Sequence, residues 1–355
     1  MKILIVVPSI PSYSGVDFHR LVNPHNVLGL DYPEFEVSMI NEIDSKEIEF
    51  LKGFDLVVAN RFISKTSMPL QLIEKLEIAN VPYILDMDDD YKLPQDHILS
   101  TASRSQKHGE QIIRGLKGAY GVTCTHELMA ATLKAELGIK KIWVVPNGIN
   151  PVGQFEVKET NFDEVRFGWS GSITHFDDVL LMHDALNAMY HQKELLGAFK
   201  VVYGGFDRTD TISQAIAGVL SAKGKAQAEV FQMFGALDVL SYATFYDQIN
   251  VMLIPLRANR FNSMKSNLKL LEAGFKKKAV IVSDVYPYSP ILENKKNCLV
   301  VKHKNDWYKH MTYLIKNPSM IEDLSMQLYD DLQPYHMERI AGLRAKIYSQ
   351  IMQEK

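Results

Sequence analysis

Arg257, Arg260, Lys265 and Lys269 stand close together in a stretch that holds no acid between Asp247 and Glu272. Leu268, Leu271 and Phe275 recur at helical spacing, which predicts a helix starting near Ser263 to Ser266. Lysines at a helix start oppose the positive end of its dipole. The arrangement therefore makes chemical sense where an anion, such as a phosphate or diphosphate, meets the open backbone N–H groups. In such a helix Lys265, Lys269 and Glu272 share one face, with the carboxylate placed to accept hydrogen bonds from ribose or sugar hydroxyls. The competing reading is a basic loop and a solvated stripe in which Lys269 and Glu272 simply pair.

Three further segments join apolar runs to helical patterns and carry reactive groups. Pro8 to Arg20 follows the first apolar run, with Gly15 allowing close backbone approach and His19 and Arg20 on the next helix. The run Asp86, Asp88, Asp89 and Asp90 ends another. One of these carboxylates is placed to take a proton from an acceptor hydroxyl or to stabilise a cationic sugar-like transition state; the alternative is capping or pairing with bases. Phe167 to Asp178 is a glycine and hydroxyl loop whose backbone and Ser172 hydroxyl suit a phosphate, or else a tight turn capping a helix. His108 and His126 have no visible partner and read as structural. The chain contains no dinucleotide fingerprint, phosphate-loop lysine motif, nucleophile elbow or zinc-protease motif, so those chemistries have no support.

The elements that must position these groups alternate in type. Strand candidates in the first half are Lys2–Val7, Phe35–Met39, Phe54–Ala59, Pro82–Asp86, Gly118–Cys124 and Lys141–Val145. Those in the second half are Val165–Trp169, Phe199–Tyr203, Val230–Phe234, Val251–Pro255, Ala279–Ser283 and Cys298–Val301. Strands separated by helical patterns predict parallel βα units, and so an α/β protein of two doubly wound domains. The turn-rich segment Pro146 to Pro151 marks the boundary, giving domains over 1–150 and 151–332. A helical tail over 333–355 is expected to pack back on the first domain. The 355 residues suffice for two cores, and a net charge of −3 argues against a surface that grips nucleic acid throughout. Two distant cysteines form neither a disulfide framework nor a metal spacing, which suits a reducing compartment. Pro8 ends the first apolar run too early for a signal segment, and no window approaches the roughly 20 apolar residues of a membrane span. A cytoplasmic location is the expectation.

The stretch Leu256 to Asn262, with Lys265, Ser266, Asn267, Leu268, Lys269, Glu272 and Ala273, resembles the nucleotide-sugar motif of GT-B glycosyltransferases of the family 4 group. Gly15 to Arg20, Asp86 to Asp90, Val145 to Ile149 and Gly168 to Asp178 resemble that group's glycine loop, acidic strand end, interdomain crossing and donor-domain loop. The resemblance implies two Rossmann-like domains facing each other across a cleft, the first holding an acceptor and the second a sugar nucleotide. Carried over by residue, it implies that Lys265, Ser266 and Asn267 meet the diphosphate, with Gly15, Ser172, Arg257, Arg260 and Lys269 contributing, and that Glu272 meets the ribose. Asp88, Asp89 and His19 become the catalytic candidates, with Arg20 and Asp90 on the acceptor side. Two departures stand out: Met264 occupies the place of a second glutamate, and the usual Arg/Lys pair after the donor loop is missing, with Arg257 or Arg260 as substitutes.

The implied activity is retaining transfer of a hexosyl or pentosyl group from a nucleoside-diphosphate sugar to a hydroxyl of a glycan or lipid-linked saccharide. No metal and no cofactor beyond the donor is expected, because cations and helix starts offset charge on the leaving diphosphate. Three alternatives stay open: a transferase acting on a hydroxylated DNA base, a sugar-nucleotide epimerase, and a non-catalytic sugar-nucleotide-binding protein. Basic spots at Lys223 and Lys225 and at Lys276 to Lys278 leave peripheral membrane or nucleic-acid contact as a lesser option.

Overall fold

A computed structural model describes all residues except 11, 44–45, 62–68, 96, 98–99, 101–102, 104–106, 223–229 and 355, and the side chains of 69–72. Lys223 and Lys225 lie outside the described residues. The chain forms two compact units, one of Met1–Gly148, Met264–Ser266 and Tyr335–Lys355, the other of Ile149–Ser263 and Asn267–Pro334.

The first unit is built on six parallel strands: β1 (Lys2–Val6), β2 (Glu36–Ile40), β3 (Leu56–Asn60), β4 (Tyr83–Met87), β5 (Gly121–Cys124) and β6 (Ile142–Val144). Their order is β2-β1-β3-β4-β5-β6. Successive residues of β1 feed opposite faces, as the period of two requires. Ile3 and Ile5 join one apolar cluster with Leu21, Val58 and Tyr348, while Leu4 and Val6 join another with Val57, Leu85 and Leu116. Both faces are covered, the condition for an all-parallel sheet. The helix Met337–Gln353 closes one face through Met337, Ile340, Ile347, Tyr348 and Ile351.

The second unit repeats the plan with β7 (Val165–Ser170), β8 (Phe199–Phe206), β9 (Phe231–Gly235), β10 (Val251–Ile254), β11 (Ala279–Ser283) and β12 (Leu299–Val301). The order β12-β11-β10-β7-β8-β9 reverses direction between β7 and β10. In the first sheet the reversal falls between β1 and β3. Ligands of open parallel sheets bind beyond the strand carboxyl ends at such points, so the loops after β1, β3, β7 and β10 are where chemistry is expected.

Every strand candidate became a strand, but the helix of the basic stretch did not start as expected. Its Ser263 to Ser266 start is replaced by a short helix, Arg260–Ser263, and a second helix that begins only at Leu268. Asn259 causes the early turn by accepting the Asn262 N–H at 2.8 Å. Met264 then leaves the helical path, buried in an apolar cluster of the first unit. The helix Leu268–Phe275 buries Leu270, Leu271, Ala273, Gly274 and Phe275, and ends where Lys277 turns to a φ of 51°.

Candidate functional site

In the second unit the crossing point joins the loops after β7 and β10 through one carboxylate. Asp178, on the short helix Phe176–Val179, accepts the Arg257 backbone N–H at 2.8 Å and the Asn262 amide at 3.0 Å through one oxygen. Its other oxygen lies 2.8 Å from His175 Nδ1. Burial pushes this carboxyl up, but the His175 hydrogen bond and charge, the Arg257 N–H and the Lys269 charge outweigh it and hold it below the usual range. Asp178 therefore stays anionic and fixes both loops. Ser172 starts the turn after β7, its hydroxyl 2.6 Å from that of Thr174.

Lys269 reaches back to the same loop. A Cβ at Gly171 would stand 2.9 Å from Lys269 Nζ and 3.0 Å from the Trp169 ring, so the glycine is what lets the ammonium lie against the backbone there. The ammonium sits 5.4 Å from the Trp169 ring centroid, within cation–π range. One turn along the helix, Glu272 is buried, and its two oxygens accept from different phenols: Oε1 from Tyr242, and Oε2 from Tyr246 at 2.7 Å. Burial pushes the carboxyl up to about 6, although both phenols and Lys269 pull it down. The solvated Lys/Glu stripe is thus excluded for Glu272.

The four cations do not ring one helix start. Arg257 is exposed and pairs with Asp177 at 2.7 Å, and Arg260 is exposed on the preceding short helix. Lys265 precedes the helix and groups with the first unit, its Nζ 3.7 Å from Asp89 Oδ1. The Lys265 carbonyl lies 3.1 Å from His126 Nε2. His126 Nδ1 accepts the Met129 N–H at 3.2 Å, so Nε2 carries the proton and donates to that carbonyl. Ser266 lies beside Lys265 in the same unit, and buried Asn267 caps the helix without a side-chain hydrogen bond. A pocket of about 420 Å³ opens at the carboxyl ends of β10, β11 and β12, among Leu256, Arg257, Ser283, Asp284, His303 and Trp307.

The acidic run of the first unit divides into two parts. Asp86 is interior: Arg20 grips it through Nε at 2.7 Å and Nη2 at 2.9 Å, Thr123 donates at 2.6 Å, and Arg344 adds a contact at 3.1 Å. Arg20 also holds Asn147 at 3.1 Å and is only 1% exposed. Arg20, expected on the acceptor side, has its guanidinium engaged by Asp86 inside the first unit. Asp88 pairs with Arg61, and Asp89 lies 3.2 Å from the same guanidinium. Burial and the Asp89 charge hold the Asp88 carboxyl above its usual range despite Arg61. Asp90 accepts the Lys92 N–H at 3.1 Å, an Asx-type turn that shapes the loop.

His19 is buried, and burial together with the Arg20 charge lowers its pKa to about 3, so the imidazole is neutral at pH 7. Gly15 opens the helical stretch behind a Ser14 cap, and a Cβ there would meet nothing within 4 Å, which leaves room for a ligand's approach. Sequence reading missed Arg61, Asp178, Tyr242, Tyr246 and Arg344. Arg61 had a signal, being the first residue after β3 at the sheet's crossing point. Tyr242 and Tyr246 lie 30 and 26 residues from Glu272, Asp178 lies 79 from Arg257, and Arg344 lies 258 from Asp86, so no local pattern announces these pairings. Among the described residues, no three His, Cys, Asp or Glu side chains are grouped to hold a metal ion, and no helix is long and apolar enough to cross a membrane.

No protein-family model and no curated protein matches the chain. Solved structures do. Sucrose-phosphate synthase of Thermosynechococcus elongatus matches with a TM-score of 0.76 at 13% identity, covering 100% of both chains. HepE of Anabaena, solved with UDP-glucose, matches with 0.66 at 13% identity over 99% of this chain and 100% of its own. The lipopolysaccharide outer core galactosyltransferase WaaB matches with 0.61 at 14% identity over 99% and 100%. At such identities the likeness is one of fold, and it extends over the whole chain: this protein has the fold of the GT-B glycosyltransferases.

Proposed function

We propose that the protein transfers a sugar, with retention and without a divalent metal, from a nucleoside-diphosphate sugar to a hydroxyl of a glycan or lipid-linked saccharide. The observation that carries this reading is the pairing of Lys269 with the Gly171 loop at the β7/β10 crossing, one helical turn from buried Glu272. An ammonium against a glycine loop at a sheet crossing suits a diphosphate, and a carboxylate one turn beyond suits a ribose. Arg257 and Arg260, on the loop after β10, supply further positive charge. A sugar-nucleotide complex among the similar structures, and a galactosyltransferase acting on lipopolysaccharide, support the donor and acceptor classes.

In the transfer, the anomeric carbon's bond to the diphosphate breaks and its electron pair leaves with the nucleotide, while the acceptor oxygen bonds to that carbon. The acceptor proton ends on a leaving phosphate oxygen. Charge on the leaving group is offset by fixed cations and backbone N–H groups, often the largest catalytic contribution. Buried thiols at Cys124 and Cys298 suit action in the reducing cytoplasm.

The test is turnover of UDP-, GDP- and ADP-sugars with EDTA present, with the anomeric configuration of the product read by NMR. Release of nucleoside diphosphate with an axial donor linkage kept in the product is the expected result. An inverted product or a strict need for metal contradicts the mechanism, an epimerised sugar nucleotide makes the protein an epimerase, and binding without product makes it non-catalytic.

A further inference from the structure

We propose that Tyr242 and Tyr246 are positioning residues that aim the Glu272 carboxylate and make the donor site select ribonucleotides over 2′-deoxyribonucleotides. This rests on the donor reading above. Both tyrosines lie on one turn, Tyr242–Gln248, which leads into β10. Each donates to a different oxygen of Glu272, so the carboxylate cannot rotate without losing a bond. The tyrosines are themselves held. Tyr246 is 2% exposed with its ring edge-on to Phe245, and the Tyr242 ring packs edge-on against Phe155 at 6.1 Å. Burial and the Glu272 charge push both phenols well above their ordinary range, so they stay protonated donors at any working pH.

The chemical consequence concerns the sugar of the nucleotide. A carboxylate offers about four acceptor positions, enough for two phenols and a ribose diol together. Its plane, set by the phenols, determines whether both hydroxyls of a diol align. A 2′-deoxyribose brings one donor fewer to a buried charged acceptor and loses about ten- to a hundredfold in affinity. Tyrosines that served only to stabilise the fold would alter affinity for both sugars alike.

Calorimetry with UDP, ADP and GDP identifies the ribonucleotide that binds best, and its 2′-deoxy counterpart is then titrated into wild type, Tyr242→Phe and Tyr246→Phe. The expected result is wild-type preference for the ribonucleotide of tenfold or more, falling to threefold or less in each variant, with 2′-deoxy affinity unchanged. A preference that persists in both variants overturns the proposal while leaving the donor reading intact. Absence of binding by any of the three to wild type removes the donor reading and this inference with it. Should Tyr246→Phe fail to fold, half-buried Tyr242→Phe carries the comparison, and Glu272→Gln supplies the reference for complete loss of selectivity.

Discussion

Asp86 in the first unit and Glu272 in the second are both buried carboxylates, and burial alone pushes both toward the neutral form. Their partners send them in opposite directions. Asp86 meets two guanidinium groups, Arg20 and Arg344, which overcome burial and take its pKa down to about 2. Glu272 meets phenols and the more distant Lys269, which do not, so it stays up at about 6. Charge partners make the first a fixed structural anion. Neutral donors leave the second poised between its charged and neutral forms.

The sharpest break in this comparison is Asp86→Ala. It strands two buried guanidinium groups, and losses of about 3–5 kcal/mol are typical when one partner of a buried pair is removed. Denaturant unfolding should show that loss, and a loss under about 1 kcal/mol would show that water reaches the cluster. The pH dependence of the native pair follows by linkage. With a folded pKa near 2 against 3.8 unfolded, Asp86 stabilises the fold above about pH 4, by roughly 2 kcal/mol, and this is lost as pH falls through 2.

Glu272 has the opposite sign. Its folded pKa of about 6 lies above the ordinary 4.5, so ionisation costs stability as pH rises from 4.5 through 6, about 2 kcal/mol beyond. Glu272→Gln should therefore raise stability at pH 8, leave it unchanged at pH 4, and weaken donor binding; equal effects at both values would mean that the carboxylate is not poised. Lys269→Ala comes next in size. On the proposed diphosphate role of this partly buried cation, it should cost about tenfold in donor affinity and little stability. Arg257→Ala should be the smallest. Its ion pair with Asp177 is roughly half exposed on both sides, and such pairs are worth about 0–1 kcal/mol, so thermal unfolding should barely move.

The same two carboxylates show what the sequence made legible. Apolar runs between helical patterns are local, and they located the twelve strands of the described residues. Glu272 stood out because cations precede it, yet its tyrosines lie 26 and 30 residues upstream with no motif to announce them. Asp86 was legible only as one of a run of acids. That it differs from Asp88 and Asp89 depends on Arg20 and on Arg344, 258 residues away. The helix start was misplaced for a related reason: Met264 fits a helical pattern, but its burial in the first unit draws the chain out of the helix before Leu268.

The β7/β10 crossing of the second unit is proposed to hold a sugar nucleotide through Lys269 and Glu272. Isothermal titration of UDP-, GDP- and ADP-sugars into wild type and Lys269→Ala, in EDTA, tests it most directly. Saturable binding of one sugar nucleotide, weakened about tenfold in the variant, is the expected result. Equal affinity in both proteins, or no binding to wild type, would contradict it.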